Sequence, residues 1–193
     1  MTWETRRYHE EILSREVGAV RKGWGGKLRV ALVYPNRYEA AMSNLGFLTV
    51  YARVNARADA VCERAFRPRE RTGKVLHGGY KRPRPRREPA GRGLPLTTLE
   101  SSRPLSDFHI VAFSLSYEND LLNVPSLLAA GGVLPFRDDR AAGKPSRIKG
   151  RPLVLAGGFA ASLSPEPTGA VADAVVVGDG ERAVDSILDL GSP

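Results

Sequence analysis

The sequence predicts an α/β domain: a Rossmann-like, flavodoxin-like doubly wound parallel sheet of about five strands with an N-terminal helix. Three observations predict it. Short runs of residues are apolar nearly throughout, the mark of strands covered on both faces. Segments with helical spacing of apolar residues stand between them. Turns rich in asparagine, serine and glycine close the runs. Strands alternating with helices imply parallel pairing through right-handed crossovers.

The elements follow in order. Residues 5–20 read as a polar helix with Ile12, Leu13, Val17 and Val20 on one face, and Gly23-Trp24-Gly25-Gly26 breaks it. The first strand is Leu28-Arg29-Val30-Ala31-Leu32-Val33-Tyr34, ended by Pro35-Asn36. A long helix over about 39–55 carries Leu45, Leu48, Tyr51, Ala52 and Asn55 at helical spacing. Ala60-Val61-Cys62-Glu63-Arg64-Ala65-Phe66 is the second strand and 108–115 the third. A helix over 119–130 must take Pro125 in its first turn or kink there. Residues 137–150 are polar and loop-like. Residues 152–156 form the fourth strand and 174–177 the fifth, stopped by Gly157-Gly158 and Gly178-Asp179-Gly180. The last helix, 181–190, turns Ala183, Val184, Ile187 and Leu188 inward. The division is an N-terminal helical extension, 1–26, and an α/β domain, 27–193.

Composition narrows the class. The chain has 193 residues, enough for one buried core. No apolar run approaches the ~20 residues of a membrane span, and the charged start lacks the apolar stretch of a signal peptide. A soluble cytoplasmic protein with no membrane partner is expected. The one cysteine, Cys62, can form no internal disulfide and no Cys-rich metal cage. It reads as a small buried strand residue.

The net charge of +8 is local. Residues 67–93 hold ten Lys/Arg and two Glu, leaving nineteen basic and nineteen acidic residues elsewhere. Nine glycines and prolines in that insert exclude a helix or strand interior, and a disordered or mobile loop is expected. Such a loop can grip phosphate with steep salt dependence, so nucleic acid or an acidic partner is the alternative ligand. Only Tyr80 in it could stack on a base.

In open sheets of this kind ligands bind beyond the carboxyl ends of the strands. That rule selects Asn36, Tyr38, Ser43, Asn44 and Gly46 after the first strand. It adds Ser114, Ser116 and Tyr117 after the third, Gly157 and Gly158 after the fourth, and Gly178, Gly180 and Glu181 after the fifth. Glycines let a turn tighten or a ligand lie on the backbone. Glu181 equally suits the dipole of the helix it opens. The asparagines offer uncharged donors and acceptors, with local capping as the other reading. No dinucleotide fingerprint, phosphate loop or nucleophile elbow is present. His9, His77 and His109 lie apart, and no catalytic residue or metal ligand is expected in this chain.

The run Tyr34-Pro35-Asn36-Arg37-Tyr38-Glu39-Ala40-Ala41-Met42-Ser43-Asn44-Leu45-Gly46-Phe47 resembles a signature of a radical S-adenosylmethionine (radical SAM) family. Its members carry a cobalamin-binding-like domain before the catalytic barrel. Cys62-Glu63-Arg64-Ala65-Phe66, Leu99-Glu100-Ser101, the stretch from Asp107 to Asp120, Gly157-Gly158, Pro165-Glu166-Pro167 and Gly178-Asp179-Gly180-Glu181 agree in order. The resemblance implies a domain stacked on a radical SAM barrel, in cis or as a separate chain. It either holds cobalamin or has lost it and serves as a docking module. Cobalt-ligating domains carry D-x-H-x-x-G after the first strand. Here Asn36-Arg37-Tyr38-Glu39-Ala40-Ala41 offers no histidine, so cobalamin would bind without one from this loop. The S-adenosylmethionine and [4Fe-4S] cluster of the family belong to the barrel, whose C-x-x-x-C-x-x-C motif is absent here. A leading domain, a truncated product or one half of a split pair is expected.

Overall fold

A computed structural model describes residues 3–68, 95–142 and 151–191. The elements run α1 (Trp3–Arg15), β1 (Leu28–Tyr34), α2 (Tyr38–Met42), α3 (Leu45–Ala56), β2 (Ala60–Phe66), β3 (Ile110–Ser114), α4 (Val124–Ala130), α5 (Arg137–Ala141), β4 (Leu153–Gly157), α6 (Phe159–Leu163), α7 (Pro165–Thr168), β5 (Ala174–Val175) and α8 (Gly180–Gly191). Two 3-10 segments, Leu105–Asp107 and Glu118–Asn123, precede β3 and α4. The strands form one parallel sheet in the order β2-β1-β3-β4-β5. That order is the flavodoxin-like one, whose direction reverses between β1 and β3. The predicted α/β fold class is therefore the observed one. Among the described residues no helix is long and apolar enough to cross a membrane. The basic insert falls on residues that, from 69 to 94, lie outside those described.

The central strands owe their place to composition. β1 is buried along nearly its whole length, and Val30 and Leu32 point to one face while Ala31 and Val33 point to the other. One face packs on α3 and α8 around Phe47, Tyr51, Val54 and Leu188. The other packs on α4 and α6 around Phe113, Leu115, Leu128 and Ala161.

Several expectations are corrected. The first helix stops at Arg15 rather than Val20, and Val17 is fully exposed. The helix expected over 39–55 is two helices, because Asn44 leaves helical backbone and its Oδ1 accepts the Phe47 N–H at 2.9 Å. The register shifts with it: Phe47, Tyr51, Val54 and Asn55 are buried, while Leu45 and Ala52 face out. Residues 137–141 are helical, not loop, because Arg140 is buried. It donates to the carbonyls of Leu134, Pro135 and Val171 and pairs with Asp173 at 2.8 Å. The fifth strand keeps only Ala174 and Val175, and Val177 is exposed. Pro125 does sit in the first turn of α4.

β2 is an edge strand, and edges invite unwanted pairing. The outward groups of Cys62 and Arg64 are taken. The Asn55 amide accepts from Cys62 N and donates to Cys62 O, both at 3.0 Å. Glu100 accepts the Arg64 N–H, and Leu99 N–H donates to Arg64 O. Lys22 reaches Ala60 O at 3.4 Å. The Arg64 guanidinium runs inward between Glu100, at 2.7 Å, and Glu16, at 2.6 Å, over the Tyr51 ring. Burial opposes its charge, but Glu100 and Glu16 prevail and raise its pKa. Beside it Glu63, also buried, accepts from Trp24 Nε1, Thr98 and Ser101. Cys62 is buried as expected, and burial pushes its thiol well up.

Replacing Arg64 with Met strands two buried carboxylates and should cost about 3–5 kcal/mol, read from urea midpoints; a loss below about 1 kcal/mol would mean water reaches the cluster.

His9 Nδ1 meets Ser102 Oγ at 3.0 Å, and burial lowers its pKa. His109 is lowered by burial and by Arg29. A lowered pKa means the unfolded chain takes the proton first. The stability is complete above about pH 6.5 and is lost as pH falls through the folded value. The urea midpoint should drop between about pH 7.5 and about pH 5.5. A His9→Gln, His109→Gln double variant should flatten that drop, and an unchanged slope would remove these histidines as its source.

Candidate functional site

Parallel strands deliver every following loop to one edge, and a slot of about 660 Å³ opens there. It lies on the α3 and α8 face of the sheet. Val30, Leu32, Ala112 and Leu155 form the sheet side, and Val50, Val54, Val184 and Leu188 the helix side. Ala112 makes the space: it is the small residue between larger neighbours on that face, and it is only partly buried.

Ten of the thirteen residues selected from the sequence line this slot: Asn44, Gly46, Ser114, Ser116, Tyr117, Gly157, Gly158, Gly178, Gly180 and Glu181. Three do not. Asn36 turns to the β1–β3 junction, where its Nδ2 donates to Asp120 Oδ1 at 3.3 Å and its Oδ1 accepts the Arg37 N–H. Tyr38 packs edge-on against Phe66, and its hydroxyl donates to Glu16. Burial and Glu16 raise its pKa, so it stays protonated. Ser43 donates to Ala40 O and closes the end of α2.

At the mouth, Asn44 Nδ2 donates to Ser116 Oγ at 2.9 Å, linking the loops after β1 and β3. Asn123 makes a parallel link by donating to Pro35 O at 3.0 Å. The capping and site readings of Asn44 thus hold together: one oxygen caps α3 while the amide nitrogen spans the switch point. On the far side the Ser162 hydroxyl donates to Gly158 O and accepts the Gly178 N–H. Ser162, Phe159 and the valine walls escaped the sequence reading. The exposed phenylalanine directly after Gly157-Gly158 was the available signal.

The glycines divide. Gly158 has φ 102°, and a Cβ there would stand 2.6 Å from Leu115 O. It serves the tight passage of β4 beside β3. A Cβ on Gly180 would meet nothing nearer than Val50 Cγ2 at 4.0 Å, so its glycine leaves the slot open. The lining includes the acids Asp179 and Glu181 and no lysine or arginine. The free N–H groups at the start of α8 are thus balanced by carboxylates. The slot suits an uncharged, flat, apolar group rather than a cluster of phosphates. Among the described residues no group of His, Cys, Asp and Glu could hold a metal ion.

Gly158→Ala should lose at least about 2 kcal/mol in thermal melts, from positive φ plus the carbonyl clash. Gly180→Ala should melt unchanged within about 0.5 kcal/mol. Equal effects would refute this division of the glycines.

A family model described as the N-terminal of radical SAM proteins matches residues 46–192. The match begins near the end of the run at 34–47 and contains all the later segments of the resemblance. Comparison with curated proteins and with solved structures returned no match.

Proposed function

The chain belongs to the family of N-terminal domains of radical SAM proteins, and on that premise we propose that it is a cobalamin-binding-like module working beside a radical SAM catalytic domain. That domain stands in the same chain or in a separate one. The observation that carries the reading is the slot: deep, apolar, and open at the carboxyl edge where such a fold holds its ligand.

The donor set bears on how a corrinoid would be held. After β1, Asn36 is committed to Asp120 and Tyr38 to Glu16. Neither is a cobalt ligand, and the loop has no histidine. The fit is at the other end of the molecule, the flat aromatic base of the nucleotide tail. Val30, Val50, Ala112 and Val184 offer it an apolar bed. When bound, a corrinoid supplies a cobalt centre able to carry a methyl group or an electron. The chain's own residues bind the base, exclude water from it and orient it. The Asn44–Ser116 pair sets the width of the mouth.

The rim fits a docked partner. Leu45, Tyr117, Phe159 and Val177 follow four different strands, and each is more than half exposed. Exposed apolar groups gathered at one edge mark interaction surfaces. A catalytic domain set against that rim would face the slot directly.

Hydroxocobalamin should co-elute with the protein on gel filtration and change its visible absorption on binding. Ala112→Leu sets a larger side chain on the slot floor. It should weaken binding at least tenfold, about 1.4 kcal/mol, with the melting curve kept. Free elution of the corrinoid from the unaltered protein would end the cofactor reading.

A further inference from the structure

A second cavity, about 700 Å³, opens at the opposite edge of the sheet, where β1, β3 and β4 begin. Its floor is apolar: Leu28, Ile110, Leu153, Leu155 and Ile187 line it. Leu153 is 45% exposed there, although it opens a core strand. Ile110, Leu155 and Ile187 also line the slot, so the apolar space continues beneath α8.

The wall is of a different kind. Lys27, Arg29 and His109 line the same cavity beside the Trp24 ring. The Arg29 guanidinium lies 5.1 Å from the Trp24 ring centroid, and one of its terminal nitrogens stands 2.6 Å from His109 Nε2. The Arg29 Nε is buried and has no hydrogen-bond partner among the described residues. Among those residues neither Lys27 nor Arg29 has a carboxylate at ion-pair distance. A buried donor without an acceptor is costly to a fold. Two cations on one cavity wall, one of them with a buried N–H that nothing among the described residues accepts, call for an anion.

The floor decides which anion. An inorganic ion would leave the leucine and isoleucine surface wet, and a nucleotide would set its polar groups against it. An uncharged chain would ignore the cations. A ligand with a single anionic head and an apolar chain meets both demands, and the cavity lies in the size range of small-molecule sites.

We infer that this cavity binds a medium-chain carboxylate, its head against Lys27 and Arg29 and its chain over Ile110, Leu155 and Ile187. The site shares three apolar residues with the slot but none of its polar groups, and Lys27→Met, outside the slot's lining, tests it apart from the corrinoid reading.

The chain has two tryptophans, and Trp3 is 71% exposed on α1. Trp3→Phe leaves Trp24 as the sole reporter. In that background sodium decanoate, kept below its micelle concentration, should shift Trp24 emission saturably. Decanol and acetate should act at least tenfold more weakly. Lys27→Met should weaken decanoate at least tenfold and leave decanol unchanged. Leu153→Glu, which sets a negative charge on the exposed floor, should do the same with circular dichroism unaltered. Arg29→Met adds to the series if it folds, and the other two variants decide without it. No saturable shift, decanol matching decanoate, or Lys27→Met and Leu153→Glu binding decanoate normally would each overturn the inference.

Discussion

Arg64 carries its charge into the interior at the edge of the sheet, clasped by Glu16 from the N-terminal segment and Glu100 from the crossover after β2. Desolvating three charges is expensive, and such a cluster contributes more to uniqueness than to net stability. Here it decides where the sheet ends. With Asn55, Leu99 and Lys22 it occupies outer groups of β2 at Ala60, Cys62 and Arg64, and the sheet extends the other way, through β3, β4 and β5. The topological switch then falls between β1 and β3, and the slot opens beside it.

The two faces of the sheet are unequal. The face under α4 and α6 is filled by Phe113, Leu115, Leu127 and Leu128, all buried. The face under α3 and α8 leaves Ala112 in the middle and open space at both ends. Packing normally closes such space, because unfilled volume forfeits dispersion and burial. Here open space persists along one face, acid-rimmed at the carboxyl edge and cationic at the other.

Segments that carried the family resemblance turn out to do different work. Cys62-Glu63-Arg64-Ala65-Phe66 and Leu99-Glu100-Ser101 face each other across the β2 edge, where Glu63 receives Thr98 and Ser101, and Glu100 receives Arg64. They shape the frame and line neither the slot nor the cavity at the opposite edge. Gly157-Gly158 and Gly178-Asp179-Gly180-Glu181 border the slot. Even there Gly158 answers to the Leu115 backbone, while Gly180 answers to open space.

The strands were legible from residue order alone. An unbroken apolar run such as Leu28 to Tyr34 can be satisfied only between two covered faces, whatever its neighbours. Parallel direction follows from the connections, and with it the gathering of the loops on one rim. Side-chain pairing across distant segments was not legible. Nothing in the local pattern around Asn44 says that its oxygen caps a new helix while its amide reaches Ser116, 72 residues away. Nothing around Arg140 says that three carbonyls and Asp173 wait for it. Local periodicity reports which face of an element is apolar. Which polar groups meet, which glycine faces a backbone and which faces a void, is decided only when the layers close, because those energies depend on atoms far apart in the chain.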